Sequence, residues 1–339
     1  MNEFIIGPNE EGQRFDKYLA KLFKNMPNGL MHKQLRNKNI TLNGQKANGN
    51  EITRNGDLVK VYMADETIAK FKGTDKASEP SDLADLSGKL QIVYLNDDIL
   101  IADKPIGVLS QKAGCDDISM NEYLISYLTE KGLYTPDSEA FKPSFCNRLD
   151  RNTSGLMVAG ITLAGLQKMS DIIRDRSIGK YYLAVVTGKI SAPSLLDGYL
   201  IKDEKSNKVS VLNAEIPGSS HIVSSYKPLY TSEDFTVLEV KLCTGKSHQI
   251  RAHLASIGHP IIGDAKYGKV CVRNNSRCGG KSDMPIRHQL LHAYKLVMPE
   301  MDGRFKEVSY KIFMSRPPHE FDHFIKEIAE DKDIWQAED

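Results

Sequence analysis

No single core can run the length of this chain, because residues 64–88, ADETIAKFKGTDKASEPSDLADLSG, hold neither a helical nor a strand period. Asp, Ser, Lys, Gly and Pro alternate there without an apolar face, which is the composition of a linker. The chain has 339 residues, long enough for two units. The expected layout is a small head over 1–63, the linker over 64–88, a main body over 89–318, and an acidic helix over 319–339.

In the head, RFDKYLAKLF spaces Phe15, Tyr18, Leu19 and Leu22 on one helical face. The breaker MPNG separates it from a second short helix, LMHKQLRNKN, with Leu30, Met31 and Leu35 inside and Lys33, Arg36 and Lys38 on the polar side. Two strands follow, ITLNGQKA around an Asn-Gly turn and DLVKVYM after Arg54-Asn55-Gly56. Ten Lys/Arg stand against three acids over 13–63, a net charge of +7, whereas 319–339 carry eight acids and two lysines, a net −6. The overall +1 therefore hides a basic head that calls for an anionic partner. Helix, basic helix and hairpin in this order resemble the ribosomal protein S4-like RNA-binding domain. That resemblance implies that Lys33, Arg36 and Lys38 contact RNA.

In the body, LQIVYLNDDILIADKP reads as two short strands around Asn96-Asp97-Asp98, and TLAGLQKMSDIIRDR as an amphipathic helix N-capped by Thr162. Further strands are expected at YYLAVVTG, HIVSSYKPLY and FTVLEVKLCTG, and a surface helix at PHEFDHFIKEIAEDKDIW. With 40% hydrophobic and 26% charged residues the chain can bury a core beneath a soluble surface. The start MNEFIIGPNEEGQ lacks the pattern of a secretory signal, and no apolar run approaches the ~18 residues of a membrane span. The five cysteines form no CxxC pair, so neither a disulfide framework nor a zinc site is indicated. A cytoplasmic protein without membrane contact, and a monomer, is the expectation. His248 and His253 lie five residues apart, about 140° around a helix, and offer no shared metal face.

Three segments carry the chemistry: NRLDRNTSG at 147–155, KYYLAVVTG at 180–188 and TGKSHQIRAHLASIGHPIIGDAKYG at 244–268. In this order they resemble the RluA-type family of pseudouridine synthases, with signatures HRLDxxTSG, KxYxAxVxG and GRxHQxRxHxxxxGxPxxGD. The resemblance implies an α+β fold with a mixed, largely antiparallel central sheet flanked by helices. It makes Asp150 the catalytic aspartate, Tyr182 the tyrosine of the second signature and Arg251 the arginine of the third. It assigns Arg148 to the RNA, and Leu290 and Leu291 to the walls of a uracil pocket. Asn147 stands where the family usually has His, and Lys246 where it often has Arg. Asn cannot titrate, so position 147 is expected to hold structure or RNA rather than a proton.

The implied reaction isomerises uridine: the C1′–N1 bond breaks, the base turns, and C5 bonds to C1′. Atoms and electrons are conserved, so no cofactor is required. One carboxylate near the sugar suffices, either attacking C1′ or taking the C2′ proton. Burial would raise its pKa, and a guanidinium opposes that shift, with Arg251 the candidate. Tyr182 offers stacking of ~1–3 kcal/mol to the detached base. A base inside a stem must be flipped out first. Ribosomal RNA of the large subunit is the expected substrate, with transfer RNA as the alternative. The rival reading is an RNA-binding or ribosome-assembly factor without catalysis.

Overall fold

The computed structural model describes residues 1–72, 86–114, 117–135, 141–203, 208–268 and 286–328. The chain divides into two compact units, one of Met1–Leu100, Ser119–Cys146 and Val158–Ser170, the other of Ile101–Ile118, Asn147–Met157 and Asp171–Asp339. Among the described residues, no helix is long and apolar enough to cross a membrane.

The first unit opens on β1 (Asn2–Ile5), α1 (Phe15–Leu22), α2 (Asn28–Arg36), β2 (Ile40–Leu42), β3 (Gln45–Lys46), β4 (Leu58–Val61) and α3 (Asp65–Lys72). The four strands form an antiparallel sheet in the order β1-β4-β2-β3. Asn43 and Gly44 take φ of 52° and 75°, the left-handed pair that a two-residue hairpin needs. The predicted faces of the two helices close on this sheet: Phe15, Tyr18, Leu19, Met31 and Leu35 are buried with Val59 and Val61.

Two features differ from the expectation. Strand β1 escaped notice because four residues give too short a pattern; its Phe4 meets Phe23 edge-on at 6.1 Å. The stretch 64–88 begins with α3, whose Ile68 is buried in the same core. Asp65 and Glu66 in its first turn, and Lys70 and Lys72 in its last, suit the helix dipole. Residues 73–85 of the expected linker lie outside the described residues.

This unit also holds β5 (Gln91–Leu95), the start of β6 (Ile99–Lys104), α4 (Met120–Glu130), β7 (Ser144–Phe145), the end of β8 (Ser154–Gly160) and most of α5 (Leu163–Arg174). Glu122 accepts from the backbone N–H and the hydroxyl of Ser119, capping α4. Thr162 accepts from Gly165 N–H at 3.0 Å and so caps α5 as expected. Gly165 is needed for close approach rather than conformation, since a Cβ there would fall 2.0 Å from the Asp98 carbonyl.

The second unit is built on β9 (Gly179–Thr187), β10 (Ser194–Asp203), β11 (Lys208–Leu212), β12 (Ser220–Thr231), β13 (Phe235–Leu242), α6 (Gln249–Ser256), β14 (Leu291–Val297), β15 (Ile312–Met314) and α7 (His319–Ile328). Its sheet runs β11-β10-β12-β13-β9-β14-β8, with β15 beside β14. All these pairs are antiparallel except β14–β8. The fold class is therefore α+β with a mixed, largely antiparallel sheet, as the signatures implied.

Alternation along β9 sends Leu183 and Val185 to one face and Tyr182 to the other. On the first face lies α7, expected on the surface. Its Phe321, Phe324 and Ile325 are buried with Leu183, Val185 and Val237. Three such side chains contribute about 1.5–3 kcal/mol each, which fixes the helix to the sheet. Residues 329–339 of the acidic segment lie outside the described residues. Near β10–β12, Ala252 of α6 packs with Leu200, Val209 and Ile222.

Candidate active site

Asp150 sits in the loop before β8, and short-range bonds hold that loop. Leu149 N–H donates to Ser110 Oγ at 2.9 Å, and the Ser110 hydroxyl donates to Leu149 O at 2.7 Å. Thr153 N–H closes a turn on Asp150 O at 3.0 Å. Lys104, fully buried, donates from Nζ to the carbonyls of Pro105 and Arg151, each at 2.9 Å. Burial lowers its pKa to about 7, opposed by the charges of Asp150 and Asp103.

The turn into β8 needs glycine. Gly155 has φ of 115°, and a Cβ there would lie 2.3 Å from the Ala293 carbonyl of β14. Beside it, Ser154 Oγ lies 2.9 Å from His292 Nδ1, and His292 Nε2 lies 3.1 Å from the Ser315 carbonyl. A carbonyl only accepts, so Nε2 carries the hydrogen and Ser154 donates to Nδ1 of the neutral ring. Burial pushes His292 down to about 4, partly offset by its bond to Ser315.

Helix α6 supplies the cation. Arg251 Nη1 donates to Asp150 Oδ2 at 2.6 Å. Its Nε and Nη2 grip Asp264 Oδ2 and Oδ1 at 2.7 and 2.9 Å, a two-pronged clasp that fixes the plane of the guanidinium. Asp264 also accepts from the N–H groups of Lys266 and Tyr267 at 2.9 and 3.1 Å. Burial alone would raise the Asp264 pKa, but Arg251 and these donors hold it below the usual carboxylate value. Burial opposes the charge on Arg251, yet its bond to Asp264 and the charges of both acids raise its pKa.

The acids differ in access. The Asp264 side chain is 0% exposed and that of Asp150 25%. Among the described residues no donor reaches Asp150 Oδ1, so one oxygen is anchored and the other is open. The ring of Tyr182 is buried, and burial followed by the charge of Asp150 raises its phenol. A carboxylate with one free oxygen, near enough to Tyr182 for its charge to act on the phenol, can attack or deprotonate a sugar whose base stacks alongside.

The structure thus brings Asp150, Arg251 and Tyr182 together. Arg148 is exposed, while Asn147 is half-buried and donates from Nδ2 to Leu156 O at 3.3 Å. Leu290 packs in the core beneath α7, and Leu291 is buried opposite Ala184. Lys33, Arg36 and Lys38 are exposed on and just after α2. Sequence reasoning missed Asp264, Lys104, His248 and Tyr267 as members of this site. Asp264 closes the third signature and could have been found there, whereas the burial of Lys104 has no local signal.

A profile of the RNA pseudouridylate synthase family matches residues 98–256, a span that contains Asp150, Tyr182 and Arg251. This stretch of the chain is similar to that family. The chain is similar to an uncharacterized RNA pseudouridine synthase of Mycoplasma pneumoniae, 27% identical over 88% of this chain and 89% of that protein. It is also similar to the ribosomal large subunit pseudouridine synthases D of Yersinia pestis, 29% identical, and Escherichia coli K12, 28%, each match covering 78% of this chain and 75% of the relative. Among solved structures, human RNA pseudouridylate synthase domain containing 4 shares the fold with a TM-score of 0.55 at 19% identity. That match covers 74% of this chain and 97% of the human chain.

Proposed function

We propose that this synthase converts specific uridines to pseudouridine in structured large-subunit ribosomal RNA, with Asp150 as the carboxylate that acts at the sugar. The observation that carries the reading is the asymmetric Asp150: Arg251 holds Oδ2 at 2.6 Å, while Oδ1 is open among the described residues. Tyr182 stacks the detached uracil, and Arg251 anchors the acid through Oδ2. Arg148, exposed two residues before Asp150, holds the flipped nucleotide or its phosphate. Asn147 steadies the loop through Leu156, and Leu291, paired with Ala184 on the face of Tyr182, backs the pocket wall, whereas Leu290 lies in the core under α7 and leaves that role. The basic head, with Lys33, Arg36 and Lys38 outward, serves as an S4-like RNA-binding domain ahead of the catalytic body. The names of the Yersinia and Escherichia relatives support ribosomal RNA over transfer RNA.

Mapping pseudouridines in RNA from cells with and without the gene, then complementing with wild type or Asp150→Asn, tests the reading. Missing positions in large-subunit RNA that wild type restores and Asp150→Asn does not are expected. Positions missing only from transfer RNA would reassign the substrate. An unchanged map, with RNA still bound, would favour the assembly-factor reading.

A further inference from the structure

Arg251 is not the only side chain at the start of α6 that faces Asp150. His248, immediately before the helix, takes φ of 56°, a left-handed conformation that residues with a Cβ seldom hold. This backbone places its Nε2 3.9 Å from Asp150 Oδ2 and its Nδ1 2.9 Å from Tyr267 Oη. The two rings meet edge-on, with centroids 5.7 Å apart.

Hydrogen-bond directions fix where the ring proton sits. Val209 N–H donates to Tyr267 Oη at 3.0 Å, so the phenol acts there as acceptor. Its own hydrogen needs an acceptor, and among the described residues His248 Nδ1 is the one in reach. The neutral ring therefore carries its hydrogen on Nε2, the nitrogen that faces Asp150. Burial keeps His248 below the ordinary imidazole value. Asp150 and Asp264 oppose that shift, and Arg251 and Lys266 add to it.

At 3.9 Å the N–H is too far from the carboxylate for a hydrogen bond. Among the described residues it is a directed donor without an acceptor, 3.9 Å from the oxygen of Asp150 that Arg251 anchors. When the C1′–N1 bond breaks, its electron pair stays on uracil and spreads to the carbonyl oxygens of the base. A fixed neutral donor stabilises that charge without giving up its proton. We propose that His248 Nε2–H contacts the target nucleotide and hydrogen-bonds the uracil oxygen that gains charge as the base leaves C1′. The C1′–C5 bond then forms and the C5 proton ends on N1, so His248 ends as it began. This inference rests on Asp150 being the reacting carboxylate.

The test compares single-turnover pseudouridine formation and RNA affinity for wild type, His248→Gly, His248→Gln, Tyr267→Phe and Asp150→Asn in the full chain. Glycine keeps the left-handed turn and removes only the ring. The expected result for His248→Gly is a rate about 100-fold lower with RNA affinity nearly unchanged, and partial recovery when imidazole is added. His248→Gln, which keeps an N–H donor, should recover part of the rate. Tyr267→Phe, which frees the tautomer, should slow the rate about tenfold. A wild-type rate in His248→Gly would overturn the proposal, leaving the ring as a by-product of the turn. So would a loss confined to affinity, or an unchanged rate in Tyr267→Phe. Activity in Asp150→Asn would instead sink the reading of the whole site.

Discussion

Arg251 divides its donors between two acids of opposite character, one sealed and one open. Asp264, fully buried, takes two prongs and orients the guanidinium; Asp150 takes the third and leaves Oδ1 open among the described residues. Removing the sealed acid should therefore harm both stability and rate. Asp264→Asn is expected to cost about 3–5 kcal/mol, as for a broken buried ion pair, and to slow pseudouridine formation; urea unfolding and single-turnover assays measure the two. Full activity with stability lost would show that Arg251 needs no orientation. The signatures made Asp150, Tyr182 and Arg251 legible because residue type and local spacing survive in sequence. Their mutual geometry was not, since the ion pair joins residues 101 positions apart. His248 was visible only as a candidate metal ligand, because nothing local shows which way a left-handed residue points its ring.

Among the elements, those with one wet face were readable and those without one were not. Helices α1, α2 and α5 announce themselves by an apolar stripe. In α6, by contrast, Gln249 to Leu254 are all buried, so polarity has no period. The reverse error occurred at α7, where acidic neighbours masked Phe321, Phe324 and Ile325. Strand β14 is the element with the most consequences, because it seats the Asp150 loop through His292. The folded pKa of His292, about 4, lies below the ordinary 6.5. Above about pH 6.5 neither folded nor unfolded state binds the proton; between 6.5 and 4 only the unfolded state does. Stability is thus whole above 6.5 and falls as the pH drops towards 4, by at most ~1.4 kcal/mol per pH unit from this group. Urea midpoints measured from pH 7 to 5 should fall less steeply in His292→Gln than in wild type. Parallel curves would show that His292 is not the group responsible.

For the whole molecule, charge is organised by position, and the net +1 says nothing of it. Reversing Lys33, Arg36 and Lys38 to Glu touches no buried side chain, so the fold should survive while RNA affinity falls. The slope of log affinity against log salt should become shallower by about 0.7–0.9 for each phosphate no longer neutralised. An unchanged slope would show that this face does not meet RNA. The parallel pairing of Ser154 with His292, and of Gly155 with Ala293, has a kinetic consequence. It joins residues 138 positions apart, whereas the Asn43-Gly44 hairpin joins Leu42 to Gln45, three apart. Pairings of such separation form late in folding. A refolding or nascent chain can therefore hold its N-terminal sheet long before its Asp150 loop is seated. Activity appears last, and its recovery reports completion of the fold rather than its beginning.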